Sequence, residues 1–184
     1  MSIKGLEQVI TNLNRISKTA VPRASSQTVN RIATQAVNRS ASVVAKLTRV
    51  PRNLVKQRAR VRRATVRKPR VQIRINRGNL PAIKLGPASM RLSRRKRDKS
   101  GANSVLRVGR FRFPGAFIQQ LANGRWHVLR RTTKSRYPIE VVSIPLATPL
   151  TETFRAEVPK LMDERMPQIM RQNLANQLRL ILKR

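Results

Sequence analysis

His127 is the sole imidazole of the chain and lies between Trp126 and Val128. A histidine that acts as a general base needs a nucleophile within hydrogen-bond reach and an acid to orient it. The acid nearest to it in sequence is Glu140. A structural histidine, hydrogen-bonded or partly exposed, is therefore the simpler reading. Asp163 and Glu164 are adjacent within a helical pattern, so their side chains diverge by about 100°. Pairing with Lys160 or Arg165 accounts for them better than a metal cage does. The chain has no cysteine, which excludes disulfides, thiolate metal sites and cysteine nucleophiles. Gly101, Gly109, Gly115 and Gly124 show neither Walker nor dinucleotide-binding spacing. These residues supply no cofactor or metal site, and an enzyme is the least favoured class.

Arginine is what remains. Lys and Arg number 41 against 7 Asp and Glu, a formal charge of +34, and no acid stands between Gln8 and Arg97. From Arg49 to Arg70 there are 10 basic residues, and a second cluster holds Arg91, Arg94, Arg95, Lys96, Arg97 and Lys99. Most charge runs are solvated faces, but a chain this basic repels itself unless anions lie nearby. The guanidinium fork matches phosphate geometry better than an ammonium does. Arg49 to Arg110 contains no aromatic residue on which unpaired bases could stack. No zinc finger, RRM motif or tight helix-turn-helix is visible, so contact with duplex DNA through its backbone is the expected mode. Arg62, Arg63, Arg67, Arg94, Arg95 and Arg97 are the candidate DNA-binding residues. Two other classes explain the same charge. One is a free non-specific nucleic-acid-binding protein; the other is an assembly adaptor whose basic faces bind acidic proteins only.

These side chains need a folded frame, and 40% apolar residues provide one. With six aromatics, the core must be built mainly from Val, Ile, Leu and Ala. Leu6, Val9, Ile10, Leu13 and Ile16 mark a helix over 3–17, and Val29 to Leu47 recur at helical spacing in a second helix over 22–47, begun by Pro22. Pro51 to Lys56 can form a short third turn. Val71, Ile73 and Ile75 alternate with polar residues as a strand, and Ala82 to Leu85 reads as its hairpin partner across Arg77-Gly78-Asn79. Further strands are expected over 105–113, 126–131 and 139–144, and helix over 151–184, divided in two by Pro159 and Pro167. The fold class is α+β: amino-terminal and carboxyl-terminal helices packed on a small, mainly antiparallel sheet, in a single domain of 1–184. Residues 91–104 lack apolar pattern and are expected to form a basic arm or hairpin loop. No stretch reaches the roughly 18 apolar residues of a membrane span, and the amino terminus lacks a signal-peptide block. No membrane partner is expected, and the protein is read as soluble.

Five strings occur in order along the chain: Ile3 to Gln8, Asn12 to Pro22, Asn76 to Gly86, Pro114 to Val128 and Tyr137 to Leu150. Together they resemble the minor tail protein Z family of long-tailed bacteriophages, the lambda-like tail completion proteins. The resemblance implies a virion protein of the neck, at the head-proximal tail end, assembled in the host cytoplasm and completing the tail for head-tail joining. It also implies a homo-oligomeric ring, six-fold being the usual symmetry at that level, around double-stranded genome DNA. Tail terminator and head-tail connector proteins would be its partners. The family brings no catalytic motif. A ring would repeat each subunit's arginines around one duplex, so that individually weak phosphate contacts become collectively strong.

Overall fold

Regular apolar spacing at the two ends and alternating spacing in the middle produce the α+β arrangement. The structure is a computed structural model and describes residues 4–91, 104–133, 135 and 137–182. Its backbone divides into two compact units, residues 1–76 with 149–184, and residues 77–148. None of the described helices is long and apolar enough to cross a membrane.

The first unit is built on a long helical rod. Helix α1 (Lys4–Arg15) passes through a π-helical turn (Ile16–Ala20) directly into α2 (Val21–Thr48). The sequence suggested two helices separated near Pro22. Instead the Val21 N–H donates to the Ile16 carbonyl five residues back, and Arg15 and Val21 keep right-handed helical dihedrals. Proline has no N–H for the usual four-residue bond, and the wider turn carries the chain across that gap. Every fourth residue of α2 is buried, in the series Ala24, Thr28, Ile32, Ala36, Ser40 and Val44. Such an i, i+4 ridge of small side chains permits close packing against another helix. Arg49 adopts the left-handed conformation (φ 57°) where α2 ends, and α3 (Arg52–Lys56) follows, with Val55 fully buried.

Helix α4 (Ala147–Leu182) runs antiparallel to α2, because Arg39 meets Glu157 and Glu164 while Thr28, nearer the start of α2, meets Asn173. The expected division of this helix at its prolines does not occur. Pro159 and Pro167 both sit on its exposed side, as do Arg155 and Asp163, whose carbonyls lose their helical donors. Water can satisfy carbonyls in such positions, so the helix continues through both prolines. Leu150, Phe154, Leu161 and Ile169 supply its buried side.

Two short strands complete this unit. β1 (Ala59–Arg62) and β2 (Gln72–Ile75) form an antiparallel ribbon. This corrects the expected hairpin between 71–76 and 82–85: β2 pairs with a strand upstream of it.

The described strands of the second unit all pair antiparallel. β3 (Leu80–Pro81) pairs with β10 (Ser143–Ile144); β4 (Ala88–Arg91), β5 (Val105–Val108) and β6 (Phe111–Pro114) form one three-stranded meander; β7 (Ala116–Gln120), β8 (Trp126–Arg131) and β9 (Ile139–Val141) form another. Residues 82–85 are a 3₁₀-helix rather than a strand. Ala82 and Leu85, three residues apart, are both buried, which the three-residue repeat of that helix allows and a strand of period two does not. Leu106 and Val108 of β5 face the core, with Arg107 on the opposite side. Gly109, at φ 56°, closes the β5–β6 turn, and a Cβ placed there would lie 2.7 Å from the Leu85 carbonyl oxygen. Of the expected arm over 91–104, Arg91 pairs with Val105 at the end of β4 and Ser104 immediately precedes β5. Residues 92–103 lie outside the described residues.

Candidate nucleic-acid interface

The β1–β2 ribbon sorts its side chains by alternation. Ala59, Val61, Ile73 and Ile75 are half-buried on one face, while Arg60, Arg62, Gln72 and Arg74 are exposed on the other. The register sets Arg60 directly opposite Arg74 and Arg62 directly opposite Gln72. Like charges facing each other across a strand pair disfavour the pairing, so the exposed face of this ribbon is better suited to an anion than to isolation. Arg63, Arg67, Lys68 and Arg70 follow in the exposed connection between the strands.

That connection is tied to α2 near its start. Ala64 is buried, and Asn30 of α2 grips its peptide groups twice: Nδ2 donates to the Ala64 carbonyl at 3.0 Å, and the Ala64 N–H donates to Oδ1 at 2.8 Å. A side-chain amide offers one donor and one acceptor in a fixed plane, so it copies the edge of a strand. Thr65 and Lys68 exchange backbone bonds in both directions at 3.0 and 3.1 Å, which puts Val66 and Arg67 at the tip of a tight turn. At the open end of the ribbon the Asn76 N–H donates to the Arg58 carbonyl at 2.8 Å. Arg63 borders a groove of about 550 Å³ between α2, α3 and β1, with Val37, Asn53 and Val61 in its walls.

Charge is left unbalanced on this surface. The carboxylate ion pairs between described residues are Arg39 with Glu157 (2.5 Å) and Glu164 (3.5 Å), and Arg130 with Glu140 (2.6 Å). No described carboxylate lies within 4.0 Å of Arg60, Arg62, Arg63, Arg67 or Arg74. In the second unit, Arg107 and Arg112 repeat the motif, exposed and directly opposite across β5 and β6.

Of the six arginines singled out from sequence, the structure places Arg62, Arg63 and Arg67 together on the ribbon and its connection. Arg94, Arg95 and Arg97 lie outside the described residues. Arg60 and Arg74 complete the face; the sequence puts Arg74 on the polar side of its strand but singles out neither as a DNA contact. The alternation of Ala59-Arg60-Val61-Arg62 was the signal that would have revealed Arg60, while the register alone sets Arg74 opposite it. Glu164 pairs with Arg39 rather than with Lys160 or Arg165, because the packing of α4 against α2 brings the guanidinium between two acids.

The histidine supports no dyad with its sequence neighbour. Glu140 is engaged by Arg130, whose Nε and Nη2 both donate to Oε1, at 3.2 and 2.6 Å. Both ring nitrogens of His127 are shielded and without a hydrogen-bond partner among the described residues. The described residues hold no cluster of three or more potential metal ligands.

This small basic α+β chain with an acid-free ribbon belongs to a family of phage tail components. The sequence model of prophage minor tail protein Z (GPZ) matches residues 3–184, so the chain is a member of that family. It is similar to the tail completion protein of Escherichia phage N15, with 75% identity over 184 residues covering all of both chains. It is also similar to tail completion protein Z of Escherichia phage lambda, with 54% identity over 192 aligned positions, again covering all of both. No solved structure matches it.

Proposed function

We propose that this chain is a structural tail completion protein of a phage virion, acting in the neck at the head-proximal end of the tail and readying it for head-tail joining. It works as a ring of identical subunits, with tail terminator and head-tail connector proteins as neighbours. It holds or positions the double-stranded genome through phosphate contacts that ignore sequence. Catalysis has no part in this reading. The relatives' names support the tail role. The observation that carries the DNA role is the ribbon face on which Arg60, Arg62 and Arg74 stand without a carboxylate partner among the described residues. Arginines arranged this way contact phosphates but present no aromatic or recognition helix that could read bases. Repetition around a ring multiplies the contacts on one duplex.

The test is a virion carrying Gln in place of Arg60, Arg62, Arg63, Arg67 and Arg74. Tails are expected to assemble while infectivity or DNA retention in the filled particle falls. Unchanged infectivity would remove the DNA role. If salt-sensitive binding to an acidic tail protein were lost instead, with no effect of added DNA, the ribbon would be an adaptor surface for a protein.

A further inference from the structure

Helix α1 is amphipathic, yet its apolar stripe touches little of its own chain. Leu6, Val9, Ile10 and Leu13 fall at i, i+3, i+4 and i+7 and remain 51%, 53%, 50% and 59% exposed. Contiguous apolar surface of this kind marks an interaction site in a soluble chain. The same unit also holds an apolar groove of about 510 Å³ between α2 and α4, bordered by Thr28 and Val29 on one wall and Met162, Met166, Pro167 and Met170 on the other. Three of the chain's five methionines stand here, four residues apart along α4. Methionine adapts its shape to an incoming apolar surface, and Met-lined grooves are suited to amphipathic helices.

We propose that α1 of one copy docks in the α2–α4 groove of a second copy. The groove is not open to α1 of the same chain. Because α1, the π turn and α2 form one uninterrupted rod, α1 extends away from the wall that α2 contributes, and folding back would break the helix. Charge favours a copy of this chain over other occupants. The groove is rimmed by Asp163, which has no ion-pair partner among the described residues. Residues 4–18 bring Lys4, Arg15 and Lys18 against a single acid, Glu7. In a chain of net charge +34, the acid-bearing stretch of α4 is the surface on which another basic copy is least repelled. Donor helix and acceptor groove are different surfaces, so the contact is head-to-tail, and head-to-tail contacts close into rings when the rotation permits. The inference deepens the ring reading by naming its surfaces and is independent of DNA contact by the ribbon.

The absence of cysteine allows a direct test on the full-length protein, at about 0.5 M salt so that repulsion between copies is screened. Single variants Leu13→Cys and Met166→Cys are mixed under oxidising conditions. The expected product is a disulfide joining one variant to the other, in preference to either variant with itself. Separately, the double variant Leu6→Glu with Leu13→Glu should weaken self-association by at least about tenfold in sedimentation. At a dilution where both proteins are monomeric its melting should be unchanged, since both leucines are more than half exposed in the single chain. Absence of the mixed disulfide, or dominant pairing of Leu13→Cys with itself, would overturn the proposal. Undiminished self-association of the glutamate variant would do the same. A ring built through other surfaces, and DNA binding by the ribbon, would survive any of these results.

Discussion

Replacing Arg74 by Gln should make the free protein more stable and its grip on DNA weaker. Arg60 and Arg74 are direct cross-strand partners, both exposed and without a carboxylate within 4.0 Å among the described residues. Opposed like charges at such a site disfavour the strand pair by about 0.5 kcal/mol in water, less as salt screens them. For a chain of this size the gain corresponds to roughly 1–2 °C in melting temperature at low salt. It should vanish toward about 0.5 M salt, where the Debye length is only a few ångströms. The same substitution removes one phosphate contact, so the slope of log K against log salt for duplex DNA should shrink by about 0.9. At about 0.1 M salt that is a loss of roughly five- to tenfold in affinity per subunit, equal for unrelated sequences. Scanning calorimetry at two salt concentrations reads the first effect, and fluorescence anisotropy with a labelled duplex across a salt series reads the second. A melting temperature lowered at low salt, or an unaltered salt slope, would refute the reasoning that this pair is arranged for an anion.

Three further outcomes follow from the packing. Asn30→Ala removes both bonds to the buried Ala64 peptide groups and should cost about 1–3 kcal/mol, with faster amide exchange across 59–75 as the specific sign. Gly109→Ala meets both a positive φ and a 2.7 Å approach to the Leu85 carbonyl. It should destabilise by about 1–3 kcal/mol, seen as a lower urea midpoint at unchanged slope. Arg39→Met leaves Glu157, whose side chain is only 14% exposed, without its cation. A loss of about 1–2 kcal/mol is expected, reduced from the fully buried case because Arg39 is itself 43% exposed; adding Glu157→Gln should recover most of it.

The extents of α1 and α2, the polar face of β2, the exposed basic run and the family were all legible in the residues. Helical periodicity, strand alternation and net charge are local or summed properties, so one chain written out is enough to read them. Partnership is different in kind. Nothing between 71 and 85 reveals that β2 turns back to β1, because its partner lies upstream, in a ribbon whose connection is tied at Ala64 to Asn30, 34 residues earlier in α2. Pro159 and Pro167 could not be read as tolerated until α4 was seen to turn them, and the carbonyls they deprive, toward water. Nor could Glu164 be assigned to Arg39 without the antiparallel packing of α2 and α4. The class of chain, its helical ends and its excess of arginine follow from the order of residues alone, since these need no distant neighbour. Which arginines face each other is fixed by folding, for cross-strand register depends on contacts that no local pattern contains.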